Sequence, residues 1–332
     1  MSRITILGAG AWGTALALTL ARRGGHDIAL WSHSPVLAEQ LSETGENILY
    51  LPGFTLPAGI AVTADLPGAI FEADTIVCAM PSQRLRGIVA HVAPLLTRNQ
   101  LLVSAAKGIE EDTFLRMTQV IASITNNPSA VLSGPTFAQE VAAGTPSAIV
   151  AASMEARFAQ AIQRDFSSST LRVYTNDDVA GVELGGALKN VIALASGVVT
   201  GLNLGHNSVA ALITRGIAEM TRLAVGCGGR RQTLAGLSGI GDLVLTCTGA
   251  LSRNRSVGIE LGRGRKLDDI LAGMHGKVAE GVRSTAATLG LAARYGVEMP
   301  ITEQVDAILH HNKKPADAIR ELMSRPGRDE FQ

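Results

Sequence analysis

The stretch Ile4-Thr5-Ile6-Leu7-Gly8-Ala9-Gly10-Ala11-Trp12-Gly13-Thr14 decides the fold. Ile4 to Leu7 reads as a short buried strand, three glycines follow at GxGxxG spacing, and from Thr14 to Arg23 Ala and Leu recur at helical intervals. Gly8 permits a tight turn, Gly10 lets the backbone approach a pyrophosphate, and Gly13 allows the helix to pack on its strand, while the helix N-terminus faces the ligand's negative charge. A purely structural glycine turn has the same spacing. The strand before it and a second strand-like run, Asp27 to Trp31, favour dinucleotide binding.

Working outward, strand-like runs recur at Gly59 to Thr63, Thr75 to Met80, Leu101 to Ala105, Ala130 to Ser133 and Ser147 to Ala151, with helical patterns between them. That alternation predicts a mostly parallel, doubly wound sheet whose ligands collect beyond the carboxyl ends of the strands. Three such ends are marked by Ala79-Met80-Pro81-Ser82, Ala106-Lys107-Gly108 and Ser133-Gly134-Pro135-Thr136-Phe137-Ala138. After Val173-Tyr174-Thr175 the strand patterns stop, and long helical segments with glycine-rich turns take over. The expected architecture is α/β: a Rossmann-like domain over residues 1–180, then an all-α substrate-binding domain over residues 181–332.

Bulk properties narrow the function. The 29 basic and 29 acidic residues balance, so no net field argues for nucleic acid or an anionic membrane. Cys78, Cys227 and Cys247 are scattered and read as reduced thiols, and no metal site is expected. The first residues enter a strand directly, without a signal-peptide pattern, and the longest apolar run is broken by Lys189 and Asn190. A soluble, cytoplasmic protein without a membrane span is expected.

Two charges stand inside apolar runs. Glu183-Leu184-Gly185-Gly186-Ala187-Leu188-Lys189-Asn190-Val191-Ile192-Ala193 carries a lysine in a helix that is apolar nearly all round. Either its stem snorkels along apolar surface to reach water, or the ammonium has a buried partner. The run Leu234 to Thr248 carries Asp242, one helical turn from Thr246. An acid and a base buried in separate runs are most stable when they meet, so Asp242 is expected to pair with Lys189; the alternative is an Asp that caps the helix after Gly241. Beyond Gly249, Ser252-Arg253-Asn254-Arg255 offers a guanidinium fork beside amide and hydroxyl donors, the outline of a phosphate site or of a surface charge cluster. Glu280 stands where another helix begins, Pro315 to Met323 reads as an amphipathic surface helix, and Arg325 to Gln332 as a frayed tail.

About 20 residues past the fingerprint, where an NAD-preferring fold places a carboxylate on the ribose, this chain has Trp31-Ser32-His33-Ser34. Nothing there repels a 2′-phosphate, so NADP and NAD are both admissible, with Ser32 and His33 available to bond it.

These motifs, together with Tyr50-Leu51-Pro52-Gly53, Gly186-Ala187-Leu188-Lys189-Asn190, Gly239-Ile240-Gly241-Asp242-Leu243 and Glu280-Gly281, follow the order seen in bacterial NAD(P)-dependent glycerol-3-phosphate dehydrogenases, which the chain resembles over nearly its whole length. The resemblance implies reversible reduction of dihydroxyacetone phosphate to sn-glycerol 3-phosphate with NADPH or NADH, for glycerophospholipid synthesis. By matching position, Lys189 is the acid/base and Asp242 orients it, while Lys107 adds a third contact to the phosphate that Arg253 and Asn254 grip. Gly134, Thr136, Asn190, Ser252, Arg253 and Asn254 join them in lining the substrate. Gly8, Gly10, Ala11, Trp12, Gly13, His33, Lys107, Ala138, Arg253, Val278 and Glu280 take the cofactor. Members often carry Arg near position 32 or 33, where this chain has Ser32 and His33. The resemblance also implies a homodimer. The rival readings are a related two-domain reductase for ketopantoate or a hydroxyacyl-CoA, and a dinucleotide-sensing protein without turnover.

Overall fold

The computed structural model describes residues 2–274, 279–327 and 329–330. Among these, the strands are β1 Ser2–Leu7, β2 His26–Trp31, β3 Glu46–Asn47, β4 Leu51–Thr55, β5 Ile60–Thr63, β6 Thr75–Cys78, β7 Leu101–Ser104, β8 Ser129–Ser133, β9 Ser147–Ala152 and β10 Leu171–Asn176. Eight of them form one sheet in the order β10-β9-β8-β7-β6-β1-β2-β5. Its neighbours run parallel except β8 and β9. Helices cover both faces, so β6 and β7 are buried along their whole length, which is why they read as continuous apolar runs rather than as alternation.

The chain leaves β1 toward β2 and β5 on one side, then returns to β6, β7 and β8 on the other. The strand order therefore reverses between β1 and β6, and the glycine turn sits at that switch point. Gly8 has φ +119°, and a Cβ there would lie 2.6 Å from the Ala79 carbonyl oxygen at the end of β6. A Cβ on Gly13 would lie 1.9 Å from the Gly8 carbonyl oxygen. Only glycines allow the helix Ala11–Arg23 to start this close to its strand.

From Val179 on, every element among the described residues is a helix. The helix Val179–Gly201, capped by the Asp178 side chain on the Gly181 N–H at 2.8 Å, is buried almost throughout by helices Gly205–Gly226, Asp242–Thr248, Arg253–Gly262 and Glu280–Tyr295. It is long and apolar enough to cross a membrane, yet its whole apolar window is covered by protein. Burial on every side explains the lack of a polar face. The two halves also share buried polar contacts. Glu183 accepts from the Thr118 N–H at 2.8 Å and from the Thr118 hydroxyl at 2.7 Å, and pairs with Arg116; Ser238 donates to the Ser133 carbonyl at 3.2 Å.

Sequence patterning misses one element, the antiparallel hairpin of β3 and β4. Its first strand has two residues and its second contains Pro52 and Gly53, so neither shows the alternation by which strands are recognised. The helix Pro315–Met323 is present as expected. The tail beyond Arg325 falls only partly within the described residues.

Candidate active site

Beyond the carboxyl ends of β7 and β8 the central helix passes close to the sheet, and two adjacent glycines make that approach possible. A Cβ on Gly185 would lie 2.3 Å from the Ser238 carbonyl oxygen, and one on Gly186 would lie 2.5 Å from the Ser133 hydroxyl and 3.5 Å from the Lys107 side chain. The glycine pair therefore brings Lys189, one turn further on, to Lys107 and to the segment that carries Asp242. That segment makes a wide π turn over Leu237–Gly241 before the helix Asp242–Thr248 begins.

Asp242 is 1% exposed and bridges two ammonium groups. Its Oδ1 accepts from Lys189 Nζ at 2.5 Å, and its Oδ2 from Lys107 Nζ at 2.7 Å. Lys189 also donates to the Thr246 hydroxyl at 2.7 Å, and Lys107 to the Gly134 carbonyl at 2.7 Å. The expected pairing of Lys189 with Asp242 is present, and Asp242 makes no side-chain cap on its own helix. The snorkelling alternative fails, since Lys189 is 6% exposed. Two cations sharing one anion leave an uncompensated positive charge in a nearly dry site, where Coulomb interactions are strong. Burial, reinforced by the neighbouring Lys107, lowers the Lys189 ammonium to about 8 against the opposing pull of Asp242.

A chain of amides frames the site. Asn190 Nδ2 reaches the Lys107 carbonyl at 3.5 Å, and Asn190 Oδ1 accepts from Asn254 Nδ2 at 2.9 Å. Asn254 Oδ1 in turn accepts from the Gly281 N–H at 2.9 Å, so most of the Asn254 amide is engaged by protein. Ser252 caps the helix Arg253–Gly262, accepting from the Arg255 N–H at 3.2 Å. Arg253 begins that helix and remains exposed, although enough protein surrounds its head for desolvation to lower its pKa, with Glu280 opposing the shift. Glu280 opens the helix Glu280–Tyr295 and accepts from the Ser82 hydroxyl at 3.0 Å; burial raises its pKa, with Ser82 and Arg253 offsetting. Thr136 donates to the Gly134 carbonyl at 3.1 Å, and Ala138 starts the short helix Ala138–Ala142. Val278 lies outside the described residues.

At the nucleotide end, Gly10 is the N-cap of its helix, with no side-chain cap and no acidic residue in the first turn. A Cβ on Gly10 would meet nothing within 4 Å, so open space lies against uncapped helix N–H groups. The buried indole Nε1 of Trp12 has no partner among the described residues. These features fit a diphosphate-containing cofactor. Ser32 is a correction: it is buried, its hydroxyl donates to the Ser34 carbonyl at 3.0 Å and accepts from the Ser34 N–H at 3.2 Å, so it is committed to its own turn. His33 is exposed, edge-on to Trp31 at 6.1 Å between ring centroids, and stays accessible to a ligand.

The cysteines are free thiols; burial pushes Cys78 and Cys247 up to about 12 and Cys227 up to about 11, so none is a thiolate at neutral pH. Sequence reasoning did not reach the partnership of Ser82 with Glu280, because the two stand 198 residues apart.

Two family models match the chain: the N-terminal part of NAD-dependent glycerol-3-phosphate dehydrogenase over residues 3–159, and its C-terminal part over residues 178–320. A glycerol-3-phosphate dehydrogenase [NAD(P)+] from Acidobacterium capsulatum is 61% identical, covering 99% of this chain and 100% of its own length. One from Koribacter versatilis is 56% identical, covering 99% of each. A crystal structure of glycerol-3-phosphate dehydrogenase from Coxiella burnetii superposes with a TM-score of 0.94 at 40% identity, covering 98% of this chain and 99% of that one.

Proposed function

The chain belongs to the NAD-dependent glycerol-3-phosphate dehydrogenases, which reversibly reduce dihydroxyacetone phosphate to sn-glycerol 3-phosphate with NAD(P)H, and from that premise we propose that Lys189 protonates the substrate's carbonyl oxygen. The observation that carries this reading is the carboxylate of Asp242 shared between Lys189 and Lys107. An ammonium has three N–H bonds. Asp242 and Thr246 take two from Lys189, while Asp242 and Gly134 take two from Lys107, leaving one on each for a ligand.

A bound nicotinamide supplies the hydride. The protein manages the charge that the hydride leaves on oxygen. Lys189 stabilises the nascent alkoxide as an ammonium and then transfers its proton to it; in the oxidative direction the neutral amine accepts that proton from the alcohol. Asp242 and Thr246 hold the Nζ in place, and Lys107 adds a second positive charge. Arg253, with the Asn254 N–H and the Ser252 hydroxyl at the start of its helix, binds the substrate phosphate. Asn254, with one amide hydrogen left, aligns Asn190 with Gly281 and lines the phosphate pocket. Gripping the remote phosphate fixes where the carbonyl sits, so binding energy becomes orientation.

Residues 1–180 form the nucleotide-binding part and residues 181–332 the substrate-binding part. With no carboxylate at positions 32–34, NADPH and NADH are both accepted. The product feeds glycerophospholipid synthesis, and the enzyme works in the cytoplasm as a homodimer, for which the family resemblance is the support; sedimentation at monomer mass would overturn the dimer. The deciding experiment is oxidation of NADPH or NADH with dihydroxyacetone phosphate, followed at 340 nm in wild type and Lys189→Ala. Loss of at least ~10²-fold in kcat is expected for removal of a general acid. Near-normal kcat in the variant would remove Lys189 from the chemistry.

A further inference from the structure

The hairpin that sequence patterning misses reaches the glycine turn. Asn47, at the end of β3, is completely buried although Ile48, Leu49 and Tyr50 beside it are exposed. Its Nδ2 donates to the Ala9 carbonyl at 2.9 Å and to the Thr14 hydroxyl at 2.8 Å, while its Oδ1 accepts from the Tyr50 N–H at 3.2 Å. Both amide hydrogens and the oxygen are used, so the side chain is locked against the turn from outside.

The Ala9–Gly10 peptide is trans. In a trans peptide, C=O and the following N–H point in opposite directions within one rigid plane. Holding the Ala9 oxygen therefore also fixes the direction of the Gly10 N–H, for which no protein acceptor is present among the described residues. Glycine needs that help, because without a Cβ the backbone at Gly10 has little to resist rotation of the plane. A rotated plane would turn a carbonyl oxygen, rather than an N–H, toward a diphosphate.

We propose that Asn47 is a positioning residue for cofactor binding: by pinning the Ala9 carbonyl it holds the Gly10 N–H toward the dinucleotide's diphosphate. This rests on dinucleotide binding at the glycine turn and adds to it the device that keeps the turn in its binding conformation. Thr14, whose N–H donates to the Gly10 carbonyl at 3.0 Å, completes the frame from the helix side.

The test compares wild type with Asn47→Ala and with Asn47→Asp, which keeps the shape and the Tyr50 acceptor but loses the donor to Ala9. Dissociation constants for NADH and NADPH are measured by fluorescence titration, beside steady-state kinetics and thermal unfolding. Both variants should stay cooperatively folded and bind both dinucleotides more weakly by roughly tenfold or more, the scale of a hydrogen bond to a charged group. The two cofactors should weaken by the same factor, since they share the diphosphate and differ only at the 2′-phosphate. Turnover at saturating cofactor should stay within about twofold of wild type, because Asn47 bonds Ala9, Thr14 and Tyr50 and none of the groups that hold Lys189. Asn47→Asp should recover affinity as acidification restores a proton donor. Unchanged dissociation constants, a changed NADH to NADPH ratio, a fall in kcat alone, or loss of the folded state would each overturn the proposal. Failure of the wild type to bind either dinucleotide would instead sink the cofactor reading beneath it.

Discussion

The glycine turn and the lysine cluster hold opposite ends of one reaction by opposite physical means. At the turn, function comes from backbone: Gly8, Gly10 and Gly13 remove side chains so that N–H groups and a helix end can face a ligand. At the cluster, function comes from side chains delivered by separate elements: Lys107 after β7, Lys189 from the central helix, Asp242 and Thr246 from a third segment. The turn carries no net charge and is spoiled by adding atoms. The cluster stores buried charge and is spoiled by removing them.

The contrast is sharpest at Asp242. Asp242→Ala leaves two largely buried ammonium groups without their shared partner and should destabilise the protein by about 3–5 kcal/mol, read from denaturant unfolding. A midpoint equal to wild type would mean that those charges reach water. Arg253→Ala tests the exposed edge of the same charge system and should weaken binding of the phosphorylated substrate by roughly 1.5–3 kcal/mol. Unchanged KM and kcat/KM would assign the phosphate to other residues.

On the other side of the comparison, Gly13→Ala adds a single methyl that would sit 1.9 Å from the Gly8 carbonyl oxygen. Overpacking of this kind should destabilise by about 1–3 kcal/mol and weaken both nicotinamide cofactors. Normal cofactor affinity would show that the turn yields more readily than its contacts imply.

The mildest perturbation is a change of pH. Ketone reduction needs Lys189 protonated, and its ammonium titrates at about 8. The kcat/KM for reduction should therefore decline as pH rises through about 8, and that for alcohol oxidation should climb over the same interval. A reductive profile flat from neutrality to pH 10, beyond that titration, would separate proton donation from Lys189.

Legibility in the sequence differed between the two regions for the same reasons. The turn occupies consecutive residues, so spacing reveals it. The sheet's core strands are likewise local patterns, and their positions agree with the structure to within a residue or two. For the cluster, the sequence showed two charges stranded in apolar runs and the economy of bringing them together. It did not show that Lys107 would share the same carboxylate, nor that Asn254 would be bound to Asn190 and Gly281. Ser32 looked free in the chain and is consumed by its own turn. The hairpin bearing Asn47 gave no periodic signal at all.

By itself the sequence determined the α/β sheet with its glycine turn, the helical half that follows, and the chemical types present for hydride and phosphate chemistry. Such features depend on contacts between near neighbours, which spacing records. Only the tertiary structure decided who shares whose charge and which polar side chains remain available. Hydrogen bonds and ion pairs saturate, so a group's availability depends on partners that lie 53 and 135 residues away, as those of Asp242 do.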